Sequence, residues 1–302
     1  MLNNPIYQAQ CFGNVEPIEY MVPYPNLRSL AVGQCIKFSN SILFEKNGLT
    51  NFDFLKTVNE YSNWLADKGI NKGDIVYVKN ISSPEFDILS YAVWSIGAIL
   101  TISDGPNIGD IKPKFVIDSL SILQKDKIAE QSAEFEASSN ILLNDTAIIF
   151  YHRGKGIILS HYNLLINAYG ILKELKILHN HTIQVKIPNN TSAYIVLHTI
   201  LPLYSGTTIT DKNAKITFGQ DSKSNYIVQF EWEKLRNTKP QSLYVLPEAT
   251  AILAIGEKPN HLLSITENNK HLNINGHSVM AGYLDKKQNE AVFKAGSLVI
   301  SK

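Results

Sequence analysis

Arginine is scarce in this 302-residue chain: of its 28 basic residues, only Arg28, Arg153 and Arg236 are arginines. Lysine binds as a point charge, so bidentate clamps on phosphate or carboxylate groups are few. Cysteine is scarcer. Cys11 and Cys35 are too few for a disulfide framework or a thiolate zinc site, and a reduced, cytoplasmic location is expected. An excess of one charge is also missing. The 28 Lys+Arg and 27 Asp+Glu leave a net +1, which gives no global pull toward nucleic acid or an anionic membrane surface. The longest apolar run, Leu89 to Ile102, is broken by Ser90, Ser95 and Thr101. A membrane span needs about 20 predominantly apolar residues, so no insertion is expected. The N-terminal MLNNPIYQAQ has neither a basic nor an apolar signal region. HExxH, GxSxG and Walker motifs are absent from the sequence, as are internal repeats.

At 44% hydrophobic, the chain can bury an ordinary core. Residues 1–40 hold turn formers and little periodicity. SILFEKNGLT then reads as two short strands around Asn47-Gly48. Phe54, Val58, Tyr61 and Leu65 fall at helical spacing, and Gly69 ends that helix. IVYVKN is a strand, SSPEFDILSYAVWSIGA a helix with Ser83 as N-cap and Pro84 at its first position, and ILTIS a strand. This alternation predicts a parallel sheet with helical crossovers. KFVID and DTAIIFY continue as strands, with a polar, exposed stretch QKDKIAEQSAEFEASS between them. Ser160 caps the helix HYNLLINAYGILKEL, and TIQVKI and GTTIT are strands around the helical AYIVLHTILPLYS. His179-Asn180-His181 reads as a polar turn, and the adjacent Ser160-His161 is not by itself a nucleophile–base pair. Residues 251–302 carry short alternating strands, with a helix expected at 286–293.

Four stretches, in order, resemble the adenylate-forming superfamily of acyl-CoA synthetases, peptide-synthetase adenylation domains and luciferases. They are KTVNEYSNWLADKGINKGDIVYVKNISSPEFDILSYAVWSIGAILTIS, NDTAIIFY…KGIILSHYNLL, IPNNTSAYIVLHTILPLYSGTTIT and NINGHSVMAGYLDKKQNEAVFKAGSLV. The match covers most of 41–302 and is poor at 104–140 and 211–240. It implies an α/β fold: a truncated adenylate-forming N-terminal domain of two packed α/β subdomains and a small β-rich one. The expected segments are 1–40 (irregular), 41–180 and 181–250 (α/β), and 251–302 (β-rich).

The resemblance implies chemistry in which a carboxylate attacks the α-phosphate of ATP, and it locates four working parts. The family's phosphate loop, Y-T-S-G-T-T-G-x-P-K-G, is reduced to Tyr151-His152-Arg153-Gly154-Lys155-Gly156. About five residues and the Ser/Thr donors are gone, which suggests a tight turn from strand to helix. The sharper alternative is a small anion site made by Arg153, Lys155 and the N-terminus of the Ser160 helix. The family's Y-G-x-T-E motif resembles Tyr244-Val245-Leu246-Pro247-Glu248. There Tyr244 would face adenine and Glu248 would hold Mg²⁺. Read without the resemblance, Glu248 is a solvated or capping carboxylate. The ribose-binding T-G-D becomes Ile300-Ser301-Lys302, and a lysine cannot accept from ribose hydroxyls. The chain stops where the family's hinge to its lid domain would begin, so no lid lysine is expected.

Losing one preorganised donor costs about 10²–10³ in rate. The leading expectation is therefore a pseudoenzyme without cofactor, a structural or adaptor subunit of an intracellular bacterial assembly such as a secretion coupling complex. It would have protein partners, a second copy of itself among them, and no nucleic acid. The alternative is a minimal AMP-forming acyl or aryl ligase, or a protein that binds a nucleotide or acyl-adenylate with ATP/AMP and Mg in a reduced cleft. Its residues would be Arg153, Lys155, Tyr244 and Glu248. The two separate on whether 152–156 and 244–248 pack together or leave a cavity.

Overall fold

The computed structural model describes residues 4–19, 22–231, 239–267 and 271–301; Arg236 and Lys302 lie outside them. Its strands form three sheets. The six-stranded sheet runs in the order Gly282–Tyr283, Lys155–Ser160, Thr146–His152, Ile99–Ser103, Ile75–Val78, Phe115–Ile117. The last four strands in that order are parallel, as the βαβ alternation predicts. The nine-stranded sheet holds a parallel group, Thr182–Lys186, Ile216–Gly219, Tyr226–Gln229 and Ser242–Val245. The hairpin Ile42–Phe44 and Leu49–Thr50 lies at one edge of this sheet, with Gly48 at φ 62° in its turn. A four-stranded antiparallel sheet is built from Leu263–Glu267, His271–Gly276, Phe293–Lys294 and Ser297–Ser301. The strands after residue 251 are divided among all three sheets.

Helix Asn51–Asp67 starts on a capping box between Thr50 and Asp53. It ends with the Ile70 N–H bonded to the Leu65 carbonyl across Gly69 at φ 76°, a conformation glycine adopts without a Cβ clash. Two other helical segments are buried on every side. Phe86 to Ile96 are all buried in helix Glu85–Ile96, and Ser192 to Ser205 are all buried in a second helix that opens into a π-helical stretch at Ile195–Ile200. Apolar residues all round a helix mark interior placement. Trp94 Nε1 donates to the Ala147 carbonyl at 2.9 Å and so ties the first helix to the six-stranded sheet. Asp87 joins the two helices by accepting from Thr199 Oγ1 at 2.7 Å and His198 Nδ1 at 3.1 Å.

Two expectations are corrected. Ser83 is not the N-cap: the helix begins at Glu85 after Pro84, and Ser83 Oγ donates to Asp87 Oδ2 at 2.6 Å. The hydroxyl is oriented as a donor to that charged acceptor, and no side chain caps the helix start. Nor does Arg153-Gly154 turn directly from strand into helix. The six-residue strand Lys155–Ser160 intervenes and folds back antiparallel on Thr146–His152, pairing His152 with Lys155. Arg153 and Gly154 both have positive φ (48° and 79°), the conformation of a two-residue hairpin turn that matches strand twist. Among the described residues, no helix is long and apolar enough to cross a membrane.

Candidate functional site

Strands of both larger sheets end at one cleft of about 1030 Å³. Asp104 follows Ile99–Ser103 and His152 closes Thr146–His152 on one side; Gln220, Phe230 and Val245 lie at the ends of strands of the nine-stranded sheet on the other. Ligands of open α/β sheets bind outside the carboxyl ends of the strands. A volume of this order with a few convergent polar groups is typical of small-molecule sites.

Arg153, Lys155 and Glu248 line this cleft together. Segments 152–155 and 245–248 therefore share the lining of an open cavity instead of packing it shut. Tyr244 does not join them. It is 2% exposed within strand Ser242–Val245, paired with Gln229 on one side and Ala254 on the other. The helix N-terminus does not join them either. Strand Lys155–Ser160 carries it roughly 17 Å from the turn at about 3.4 Å per residue, and Ser160 is occupied in a capping box with Asn163. His161 is fully buried and pushed down to about 4 by burial, with its Nδ1 accepting from the Leu27 N–H.

Glu248 is neither solvated nor a cap. It is 6% exposed and accepts from Tyr283 Oη at 2.8 Å. Tyr283 in turn receives the Lys155 ammonium, 3.4 Å from its oxygen and 4.9 Å above its ring. Burial, and then the Glu248 carboxylate, push the phenol far above its usual range, so it stays a donor to that carboxylate. The turn carrying Glu248 is held from behind. Helix His161–Glu174 aims Asn163 and Asn167, four residues apart on one face, at the chain that crosses it. Asn163 Nδ2 donates to the His277 and Val279 carbonyls, and Asn167 spans Ala249, Ile252 and Ser278. Thr250, a β-branched residue at φ 71°, is held in this turn as its hydroxyl donates to the Ser278 carbonyl at 2.6 Å.

The sequence reading missed the pairing of His152 with Asp104. Their side chains are hydrogen-bonded through Nδ1, and they are 48 residues apart in the chain. The register of two neighbouring parallel strands, with Ser103 opposite Tyr151, places them side by side at the carboxyl ends of two central strands. The alternation of strand and helix was a usable signal for that juxtaposition.

The sequence matches no family model and no curated protein. The fold does match solved structures. A long-chain-fatty-acid-CoA ligase from Archaeoglobus fulgidus is 15% identical with a TM-score of 0.70, over 93% of this chain and 82% of that one. The N-terminal subdomain of NpsA from Klebsiella oxytoca is 14% identical with a TM-score of 0.71, over 93% and 96%. This is the adenylate-forming fold. An ATP-bound chimera of RpMatB and BxBclM also shares it, at 15% identity and a TM-score of 0.75 over 92% of this chain and 75% of that one.

On the adenylate-forming fold the cleft lies between the Arg153 hairpin and the Glu248 turn, and Ile300 and Ser301 line it too. Mg²⁺ rides on phosphates with one or two carboxylates and water. Glu248 offers one carboxylate oxygen beyond the one bonded to Tyr283, which fits such an ion only as part of a metal–nucleotide complex. Among the described residues, no group of three or more His, Cys, Asp or Glu could hold a metal by itself.

Proposed function

We propose that this protein binds a small phosphate-bearing ligand of the nucleotide or acyl-adenylate class in its cleft, without joining a carboxylate to AMP. The observation that carries this reading is the open cavity with Arg153, Lys155 and Glu248 on its walls. A scaffold kept only for its surface has no need to hold two cations beside an empty volume at the carboxyl edges of both sheets. The ATP-bound neighbour of the same fold supports the choice of ligand class. Against adenylation stands the reduction of the phosphate loop to Arg153-Gly154, since each lost transition-state donor costs about 10²–10³ in rate. A subunit role in a protein assembly does not depend on the cleft, and co-purification from native cells decides it separately.

Titration calorimetry with AMP, and with ATP in the presence and absence of Mg²⁺, tests the reading. Binding is expected for at least one of them, with Arg153→Ala and Lys155→Ala each weakening it about tenfold, as charge-assisted bonds imply. Pyrophosphate exchange with a panel of carboxylates is expected at background. Absence of heat at millimolar nucleotide, or turnover in the exchange assay, overturns the proposal.

A further inference from the structure

The His152–Asp104 pair has the geometry of a mounted base. Asp104 is placed by its own N–H, which donates to the Tyr151 carbonyl at 3.3 Å. The His152 ring is stacked on Phe150 at 5.8 Å between centroids and 14° between planes, so its rotation is restricted from a second side. A carboxylate only accepts, so Nδ1 carries the proton and Nε2 of the neutral ring holds a lone pair. Nε2 has no hydrogen-bond partner among the described residues, and the imidazole lines the cleft. Next to it lies Arg153, which forms no ion pair among the described residues, then Lys155. Phe230, Val245 and Leu246 add apolar surface to the same lining. Base, cationic end and apolar surface together fit an activated acyl group attached to a phosphate.

We propose that His152 is the general base of a hydrolase acting on acyl phosphates, acyl-adenylates included, with Asp104 as its positioning residue. The step rests on the ligand class proposed above. His152 Nε2 takes a proton from water as the water oxygen attacks the acyl carbonyl carbon. The carbon–oxygen bond to phosphate then breaks and its electron pair leaves on the phosphate oxygen, beside Arg153 and Lys155. The imidazolium, held by Asp104, returns its proton to the departing phosphate. The products are a carboxylic acid, which ionises in water, and a phosphate monoester or inorganic phosphate. No oxidant, reductant or metal enters the balance.

Acetyl-adenylate is the probe, with AMP release followed by chromatography and spontaneous hydrolysis subtracted. The native chain is expected to exceed buffer, and His152→Gln to lower the rate by about 10²–10⁴, the usual contribution of a positioned base. Asp104→Asn is expected to lower kcat at nearly unchanged KM by presenting the wrong tautomer. The other charged or titratable groups lining the cleft are Arg153, Lys155, Glu248, His271 and Lys294. The circular-dichroism spectrum and thermal midpoint of His152→Gln are expected to match the native chain and serve as the folding control. A native rate equal to buffer in a chain that binds AMP overturns the hydrolase and leaves the ligand class standing. Failure to bind AMP or ATP removes both. A His152→Gln protein that hydrolyses as fast as the native one also overturns the assignment.

Discussion

Replacing Asp87 with alanine is expected to lower the unfolding free energy by about 3–5 kcal/mol, as removal of a buried, hydrogen-bonded carboxylate that leaves its donors bare implies. Asp87 is 1% exposed and accepts from Ser83, Thr199 and His198. Those three donors come from two elements: Ser83 precedes the helix that carries Asp87, and Thr199 and His198 lie in the π-helical stretch. Alanine leaves three buried donors without an acceptor where the two interior helices meet. Burial alone would raise the carboxyl, but His198, Ser83 and Thr199 outweigh it and hold it below the ordinary carboxyl range. A group depressed in the fold stabilises fully above its unfolded value near pH 3.9 and loses that contribution as pH falls through the folded value. The native urea midpoint is therefore expected to fall steeply only below about pH 4, and the variant to show a shallower acid limb. Asp87→Asn, which keeps one acceptor oxygen, is expected between the two. Equal midpoints for native and alanine proteins at pH 7 would rule out a structural role for the cluster.

Asn167→Ala is expected to cost about 3 kcal/mol, because it strands buried backbone groups that have no water to turn to. Asn167 Oδ1 accepts from the Ile252 N–H at 3.1 Å, and Nδ2 donates to the Ile252 carbonyl at 2.9 Å and Ser278 Oγ at 3.2 Å. The Ile252 carbonyl keeps a second donor in Asn260, so the N–H is the group left bare. The consequence reaches the cleft, since the Pro247–Ala249 turn carrying Glu248 is anchored here and the Glu248 carbonyl accepts from Met280. Thermal denaturation and nucleotide titration are expected to worsen together. A variant that loses stability yet binds nucleotide like the native chain would show that the amide supports the core alone.

The fold was legible because its signals are local. The period of Phe54, Val58, Tyr61 and Leu65, the cap at Ser160, and the runs around Val76 and Ile148 each specify an element without distant information. The cleft lining was legible only where it is contiguous. Arg153 and Lys155 could be read together because they share one hairpin. The burial of Glu248 against Tyr283 was not legible, because that contact joins residues 35 apart. Asp104 and His152 escaped because their meeting is a matter of strand register. Tyr244 was misplaced for a related reason: strand Ser242–Val245 is buried throughout, and a strand buried on both faces carries no alternation that tells which side chain reaches the cleft. Ser83 illustrates a partner that propensity cannot foresee, a buried carboxylate four residues on that takes the hydroxyl as a donor.

The two-residue turn at Arg153-Gly154 has a thermodynamic side. Ordering a mobile backbone costs about 1–2 kcal/mol for each residue fixed, so a long loop that wraps a ligand spends much of its contact energy on becoming still. A hairpin closed by two residues, with both flanking strands already laddered, has almost no such freedom to surrender. A ligand of the class proposed above would meet fewer donors here, but donors already in place. Its association would then carry a small entropic penalty, with no segment having to fold or unfold around it.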